Sequence, residues 1–262
     1  MMGQNQTQPV NVTSTMTAAV DSITPEGVVK LNMRVESLGL PAAAGMGEMM
    51  GGMGGLENLS TALNNAEFTA EILPNGKVYS VTGLDQKVRE AVSSADLGAM
   101  GQLMPAADLK KFIQEMMREV MGDEVVQEQL TAMLAYMSPQ PVDVGDIWTT
   151  SYSMKHQTPF VATNTYTLRE RRDGISVIDY TSELTPNTEA ASLSLMQGMS
   201  IERSFQGTVS GTIEVEEATG WPVKNESKVD ISGTQSMNLM GGINLDVQMT
   251  VEGTVNTTVT KE

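Results

Sequence analysis

The sequence of 262 residues contains no cysteine and a single histidine, His156. The absence of cysteine excludes disulfides, thiolate metal sites, a cysteine nucleophile and an acylated N-terminal cysteine in the chain as given. With one histidine, the sequence offers neither a pair of imidazole ligands nor a recognisable Ser-His-Asp arrangement. We therefore expect a protein that is not an enzyme and has no catalytic residues, no cofactor and no metal site.

Basic residues and long apolar runs are also scarce. Lys and Arg number 16 against 32 Asp and Glu, a formal net charge of -16, which disfavours binding to nucleic acid and to anionic membrane surfaces. No run approaches the roughly 18 apolar residues of a transmembrane segment. Residues 1–20 lack the basic start and apolar middle of a signal peptide. Because Thr, Ser, Asn and Gly are abundant, we expect an extracytoplasmic protein (periplasm or cell surface) whose export signal or lipid anchor is absent from this chain.

Alternation of apolar and polar residues dominates the C-terminal stretch from Gly207 to Thr260. Apolar and small residues occupy odd positions, as in Val209-x-Gly211-x-Ile213, and the residues between them are mostly polar. Side chains alternate between the two faces of a strand, so this pattern predicts long strands with one buried and one wet face. A wet face is typical of antiparallel sheets. Only 4% of the residues are aromatic, so Val, Ile, Leu, Ala and 21 Met must build the core.

Earlier segments predict strands, then helices, then strands. Strands are expected over 11–20, 29–36, 66–72 and 77–81, and again over 146–155, 160–170 and 174–182. Between them, apolar spacings of three and four predict two or three helices from Asp85 to Met137. Residues 185–198 indicate a loop with a helical turn around Leu193 to Met196. Segregated elements favour the α+β class.

We therefore predict a single domain over residues 1–262. Its core is a large curved antiparallel sheet of about 9 to 11 strands, a half-open β-barrel with the helices on its concave face. Residues 1–9 are expected to be a flexible N-terminus. Residues 39–55 form a Gly/Met-rich loop, and glycine at this density prevents a stable helix. Thioether sulfur suits Cu(I), but no His or Cys supports a copper site there. The loop is instead a candidate lid, with the methionines Met46, Met49, Met50 and Met53.

The most distinctive local signature runs from Pro139 to Trp148, Pro-Gln-Pro-Val-Asp-Val-Gly-Asp-Ile-Trp. The prolines end a helix, Gly145-Asp146 forms a turn, and Trp148 starts a strand. Together with Ala218-Thr-Gly-Trp-Pro222, this motif resembles a family of uncharacterised bacterial exported proteins and lipoproteins. More remotely, the chain resembles the half-open barrels of lipoprotein carriers, a resemblance that implies helices over a hydrophobic cavity.

Two functions follow as expectations. In the first, the interior between sheet and helices holds a lipid or another apolar ligand. The candidate cavity residues are Phe112, Met116, Met117, Trp148, Tyr152 and Tyr166. The alternative is a structural or interaction module at the cell surface, with a solid core and no small-molecule ligand. Such a module would bind a protein partner by an exposed sheet edge or by the 39–55 loop.

Overall fold

The computed structural model describes residues 15–37, 63–94, 105–156, 158–190, 192–196, 199–239 and 243–259. The candidate lid methionines Met46, Met49, Met50 and Met53 and the expected flexible residues 1–9 lie outside these ranges. The elements in chain order are β1 (Thr15–Ile23), β2 (Val29–Ser37), β3 (Glu67–Ile72), β4 (Val78–Thr82), α1 (Leu84–Ser94), α2 (Ala106–Met121), α3 (Asp123–Leu134), β5 (Ile147–Met154), β6 (Phe160–Arg172), β7 (Ile175–Pro186), β8 (Ser192–Met196), β9 (Met199–Glu216), β10 (Trp221–Leu239) and β11 (Ile243–Thr258).

The α+β class, the large antiparallel sheet and the helices between Asp85 and Met137 are confirmed. The strands form two sheets rather than the single sheet that we expected, and neither closes into a barrel. One has the order β1-β2-β3-β4, and the other has the order β11-β10-β9-β7-β6-β5 with β8 beside β9. Alternation shows that a segment is a strand, but it does not show which strands pair. Among the described helices, none combines the length and apolar character needed to cross a membrane.

Contacts along the chain divide it into two compact units. The first comprises Met1–Ile72 and Tyr79–Asp123, and the second comprises Leu73–Val78 and Glu124–Glu262. The expectation of a single domain remains a prediction.

In the first unit, β2 buries alternate residues against β3. Leu31 and Met33 are buried and lie opposite Ala70 and Phe68, which are also buried. The residues between them on β2 are exposed. This is the one-sided pattern that the sequence predicted for Val29 to Glu36.

The helices of the first unit are joined by apolar contacts and by reciprocal aspartate hydrogen bonds. A buried cluster contains Leu63, Val88, Val92, Leu109, Ile113, Met117 and Met121. The Leu84 N–H donates to Oδ1 of Asp123 (2.8 Å), and the Asp123 N–H donates to Oδ1 of Asp85 (3.1 Å). These carboxylates satisfy N–H groups that have no partner within a helix's first turn. Arg118 of α2 forms an ion pair with Asp85 at 2.8 Å, so α2 is also linked to the carboxylate that accepts from Asp123.

In the second unit, residues that lie directly opposite one another on neighbouring strands form rows that cross the sheet. One row runs through Trp148, Tyr166, Tyr180, Gly211, Ser227 and Val255. Directly opposite residues share a face, so the even residues of β5, β6 and β7 lie on the same face as the odd residues of β9, β10 and β11. β8 corrects the loop with a helical turn predicted over 185–198. The alternation Ser-Leu-Ser-Leu there has the period of a strand.

β9 and β10 approach each other closely at three glycines, which indicates that the sheet of the second unit bends there. A Cβ added at Gly207 would meet the carbonyl oxygen of Asp230, and one at Gly211 would meet that of Glu226. A Cβ at Gly233 on β10 would likewise meet the carbonyl oxygen of Ser204 on β9. Side chains normally stand perpendicular to a sheet and clear of the neighbouring strand. The neighbouring backbone has therefore turned onto this face, which is concave, and only glycine fits.

Burial on the concave face decreases towards β11, contrary to our expectation of one buried face throughout the C-terminal strands. Ile213 on β9 is 6% exposed, whereas Val251 and Val255 on β11 are 51% and 50% exposed. Every described side chain of β11 from Asn244 to Thr258 is exposed, apart from half-buried Met249. The reason is position, because β11 is the edge strand of its sheet. Alternation alone does not distinguish a covered face from an uncovered one.

We predict that Gly211→Ala destabilises the protein by about 1–3 kcal/mol, because the new methyl group must displace the β10 backbone. Gly253→Ala is the matched control on the same face. A Cβ there has no heavy atom within 4 Å, so this change should be neutral or stabilising by up to about 1 kcal/mol. Urea unfolding followed by circular dichroism measures both. Equal stabilities for the two variants would contradict the bend at β9 and β10.

Candidate functional site

The segment between α3 and β5 folds as a structural corner, as the signature from Pro139 to Trp148 predicts. The Asp143 N–H donates to Oδ2 of Asp146 (2.7 Å), and Gly145 adopts a φ of +96°. The Trp148 Nε1–H donates to the Tyr136 carbonyl oxygen (2.9 Å) just after α3 ends. Asp143 and Asp146 therefore serve the turn, and the first strand residues are fixed to the end of the helix.

Tyr136 joins the two motifs that the sequence singled out. Its Oη–H donates to the carbonyl oxygen of Gly220 (2.6 Å) within the Ala218–Pro222 motif, while its own carbonyl accepts from Trp148. Tyr136 is buried, and burial raises the pKa of its phenol well above the ordinary value of 10. The hydroxyl therefore stays protonated and remains a donor. One residue thus holds the helix end, the start of β5 and the β9–β10 turn together.

An aromatic row crosses β5, β6 and β7 on the concave face. The rings of Trp148 and Tyr166 stack with their centroids 5.5 Å apart, and those of Tyr166 and Tyr180 lie 5.8 Å apart. Tyr152 packs edge-on against Phe160 at 6.2 Å. Burial, with a smaller contribution from Tyr180, raises the pKa of Tyr152 to about 12. The phenol of Tyr152 is therefore neutral over the physiological pH range.

A polar row lies beside the aromatic one and is internally hydrogen-bonded. Ser182 donates to Oδ1 of the buried Asn164, whose Nδ2 donates to Oγ1 of Thr150. The Thr150 hydroxyl donates to the carbonyl oxygen of Ala135 (2.9 Å). The end of α3 therefore covers this part of the sheet. Since the polar groups satisfy one another, the arrangement is that of an ordered core rather than of a reactive site.

The remaining part of the concave face, on β9, β10 and β11, is a trough that becomes more exposed towards the edge. The glycines of the bend lie on β9 and β10, and the exposed apolar side chains of the trough belong to β11. We define the trough by three sets of residues in register with one another. They are Ile201, Arg203, Phe205, Gly207, Val209, Gly211 and Ile213; Asn225, Ser227, Val229, Ile231, Gly233, Gln235 and Met237; and Leu245, Val247, Met249, Val251, Gly253, Val255 and Thr257.

The six candidate cavity residues fall into two groups. Phe112, Met116 and Met117 lie on α2 in the first unit, where Met117 belongs to the buried cluster and Phe112 packs against it. Trp148, Tyr152 and Tyr166 lie in the second unit on the face beside the end of α3. As the lining of an apolar cavity, all six remain a prediction.

The trough is a surface that sequence reasoning did not assign to a ligand. Its signal was nevertheless visible, because apolar residues and four glycines share the odd positions of the C-terminal strands. Alternation predicts a buried face on these strands, whereas that face is exposed on β11. Glycines at 207, 211 and 233 within otherwise good strands were the indication that the sheet bends there.

The single histidine is held between two carboxylates of α3. His156 Nδ1 lies 3.0 Å from Oε1 of Glu128, and its Nε2 lies 3.3 Å from Oε2 of Glu124. Oε2 of Glu128 also accepts the N–H groups of Lys155 and His156. Burial opposes ionisation of Glu128, but these hydrogen bonds outweigh it and lower the pKa of Glu128 below its ordinary value of 4.5. Among the described residues, no cluster of three or more His, Asp or Glu side chains is arranged to hold a metal ion.

The arginines near the β6–β7 turn are paired locally. Arg169 contacts Asp179 at 2.8 Å, Arg171 contacts Glu217 at 2.7 Å, and both arginine side chains are about half exposed. The hydrogen bonds from Ser176 and Arg171 lower the pKa of Glu217. Exposed pairs of this kind contribute little to stability.

Comparison with known proteins gives one family. The model of DUF6263, a family of unknown function, matches residues 26–222. No curated protein and no solved structure gives a significant match. The matched residues include both motifs and Tyr136 and end at Pro222, near the start of β10. The β11 side of the trough therefore lies outside the region that defines the family.

We predict that Glu128→Gln lowers the free energy of unfolding at pH 7 by about 1–2 kcal/mol, because hydrogen bonds to a charged acceptor are replaced by neutral ones. The folded-state pKa of Glu128 is lowered, so its stabilisation is present above the ordinary carboxyl pKa of 4.5 and is lost as the pH falls through the folded value. The difference between the two proteins should therefore shrink in acid. Urea unfolding at several pH values tests this. Glu124→Gln, at a side chain 75% exposed, is the control with little effect; a constant difference across pH would refute the assignment.

We predict that Tyr136→Phe destabilises the protein by about 1–2 kcal/mol, because it leaves the Gly220 carbonyl without its donor. Tyr180→Phe is the matched control. The hydrogen bond from the Tyr180 hydroxyl to Oδ1 of Asn225 is long, at 3.4 Å. Losing this hydrogen bond should therefore lower the stability of the protein by less. Thermal unfolding of both variants makes the comparison. If Tyr180→Phe were the more damaging change, Tyr136 would not be the joint between the two motifs.

Proposed function

Since the chain belongs to the DUF6263 family, whose function is unknown, we propose from its own residues that it is a non-enzymatic binding domain. Its ligand is a lipid or another apolar molecule that lies in the trough. The observation that carries this proposal is the exposure of apolar side chains on the concave face. The exposed set is Leu245, Val247, Val251 and Val255, each between 38% and 51% exposed.

Apolar side chains gathered on one face support a binding role better than scattered ones would. Exposed hydrophobic residues are normal when single, whereas contiguous patches mark ligand or partner sites. The four side chains of β11 continue the half-buried Val229 and Ile231 of β10 across the register. β11 is paired with β10 from Ile243 to Thr258, so the surface is formed before a ligand arrives, as ligand sites usually are.

The opposite face of the same sheet is suited to water. Thr149, Thr165, Thr181 and Ser210 form a cross-strand row on it, and all four are exposed. A sheet with a hydroxyl-rich outer face and an apolar concave face supports the proposed likeness to the half-open barrels of lipoprotein carriers. The threonine-rich strands and the charge of -16 are the basis for proposing an extracytoplasmic location.

A second candidate function is the binding of a protein strand at the edge of the sheet. β11 ends the strand order and is 16 residues long. Long edge strands are usually interrupted by proline or protected by lysine, because their free backbone groups pair with other chains. The described part of β11 contains neither residue. An extended segment of a partner could add to it by main-chain hydrogen bonds.

We predict that the double substitution V251T and V255T weakens binding of a fluorescent fatty acid about 10-fold, because two methyl groups that the bound ligand would cover are replaced by hydroxyls. The shape and strand propensity of valine are retained by threonine, so the thermal midpoint should not change. Equilibrium fluorescence titration measures the affinity. Val20→Thr, at an exposed valine of β1 in the first unit, is the control that should bind normally.

The two candidate functions give different results in this experiment. No uptake of the fatty acid by the unsubstituted protein would refute the apolar-ligand function. Edge pairing would then be favoured if a strand-forming peptide bound equally well to the unsubstituted protein and to the double variant, because its main-chain hydrogen bonds do not need the valine methyl groups.

A further inference from the structure

We infer that β11 pairs antiparallel with the β11 of a second copy of this chain, so that the sheets of the two second units become continuous. This inference rests on the second candidate function, edge pairing, and deepens it by naming the partner. It does not depend on whether the trough binds an apolar ligand.

The length of β11 favours pairing at this edge. β11 ends the strand order of its sheet and is 16 residues long, whereas β5, at the other end, has 8 residues. An edge strand presents a row of N–H and C=O groups to other chains, and a long, regular row is the better template. At strand geometry, 16 residues extend for about 54 Å.

The backbone groups of β11 that face away from β10 belong to its even residues. One residue beyond the end of β11, the Val259 N–H donates to the carbonyl oxygen of Val223 at 3.0 Å. In an antiparallel pair, residues directly opposite each other alternate between exchanging two hydrogen bonds and exchanging none. The pairing of β10 with β11 has no shift in register, so the odd residues of β11 bond to β10. The even residues from Asn244 to Thr258 therefore direct their N–H and C=O groups outward.

These outward groups match one another when two copies pair around a two-fold axis at Thr250. Even residues then lie opposite even residues, as the hydrogen bonds require. The even residues from Asn244 to Asn256 would form about 14 main-chain hydrogen bonds, because each opposite pair exchanges two. A typical protein interface carries about 10 direct hydrogen bonds. The main chain alone therefore supplies a full set.

The acidic side chains of β11 are compatible with this register. Asp246 lies opposite Thr254 of the second copy, and Glu252 lies opposite Gln248. An axis at Met249 would instead place Asp246 opposite Glu252, and like charges directly opposite each other are destabilising. Charge therefore excludes the shift in that direction.

The apolar side chains of the concave face meet in the same register. Leu245 lies opposite Val255 of the second copy, and Met249 lies opposite Val251, which gives four apolar pairs across the axis. An axis at Val251 gives three such pairs within β11. Directly opposite residues share a face, so the second copy continues the trough. Leu245, Val251 and Val255 are between 42% and 51% exposed, and the second copy places a strand beside them.

The net charge of the chain determines how this dimer responds to salt. Each copy has a formal charge of -16, so two copies repel each other at long range, and salt screens the repulsion. Dimerisation should therefore strengthen as the salt concentration rises. A basic segment of another protein, which an acidic chain attracts, would bind more weakly instead. The direction of the salt dependence distinguishes the two partners.

Sedimentation equilibrium of the full chain without ligand gives the first test. At about 100 μM chain in about 0.5 M NaCl, we expect a mass twice 28.1 kDa and an affinity about 10-fold higher than in about 0.05 M NaCl. Thr250→Pro removes one outward N–H from each copy and leaves the bonds to β10 in place, so it should weaken dimerisation about 10- to 100-fold. Thr250→Val keeps the N–H and is the matched control that should dimerise normally.

Disulfide trapping tests the register. The chain has no cysteine, so an introduced one has no partner except its counterpart in the second copy. Thr250→Cys should be linked rapidly under mild oxidation, because residues opposite each other in a hydrogen-bonded pair have Cα atoms about 5.5 Å apart, within disulfide range. Thr165→Cys, at an exposed position of β6, should be linked only slowly. Faster linking through Val251→Cys would support pairing through β11 but refute the axis at Thr250.

A monomer at every salt concentration would overturn the inference. Edge pairing with another protein would still stand if that monomer bound a strand-forming peptide, and would fall as well if it did not. A dimer that is linked through neither Thr250→Cys nor Val251→Cys would associate by another surface, which also refutes the inference. Trapping does not use the proline variant, so it decides the matter even if Thr250→Pro fails to fold.

Discussion

The close approach of β9 and β10 is the constraint on which the second unit depends. At Gly207, Gly211 and Gly233 the backbone of one strand occupies the space that a side chain of the other would need. The bend turns the sheet towards one side, so the apolar positions of β10 and β11 face the interior of a curve. A flat sheet would present the same valines on an open plane. The glycines therefore convert an alternating sequence into a trough.

The concave face is buried near β5 and exposed at β11, and this difference has a specific cause. The end of α3 is fixed to β5 by the Trp148 and Thr150 hydrogen bonds and to the β9–β10 turn by Tyr136. These contacts bury the concave face of the strands nearest β5. They do not extend to β11, which leaves its apolar side chains in water. The motifs that look most distinctive in the sequence thus hold the architecture in place, while the exposed apolar side chains lie on β11, which contains no such motif.

The sequence predicts local structure well here because its patterns are local. The alternation in Val29 to Glu36 and the Pro139–Trp148 turn both depend on near neighbours, and both have the predicted structure. Strand pairing and cover depend on distant residues. For that reason the division into two sheets and the exposure of Val251 were not predicted. β8 replaces the predicted loop because its Ser-Leu alternation is confined to a strand of 5 residues, and such a short pattern is a weak signal.

Folding stability alone does not explain how the trough is composed. Exposure of valine forgoes the gain from removing apolar surface from water. On the concave face Ile213 of β9 is 6% exposed, whereas Val251 and Val255 of β11 are 51% and 50% exposed, in strands two positions apart in the sheet. A face optimised only for stability would have all these side chains buried. An apolar ligand that lay along β11 would remove the valines from water and so supply the gain that folding leaves out.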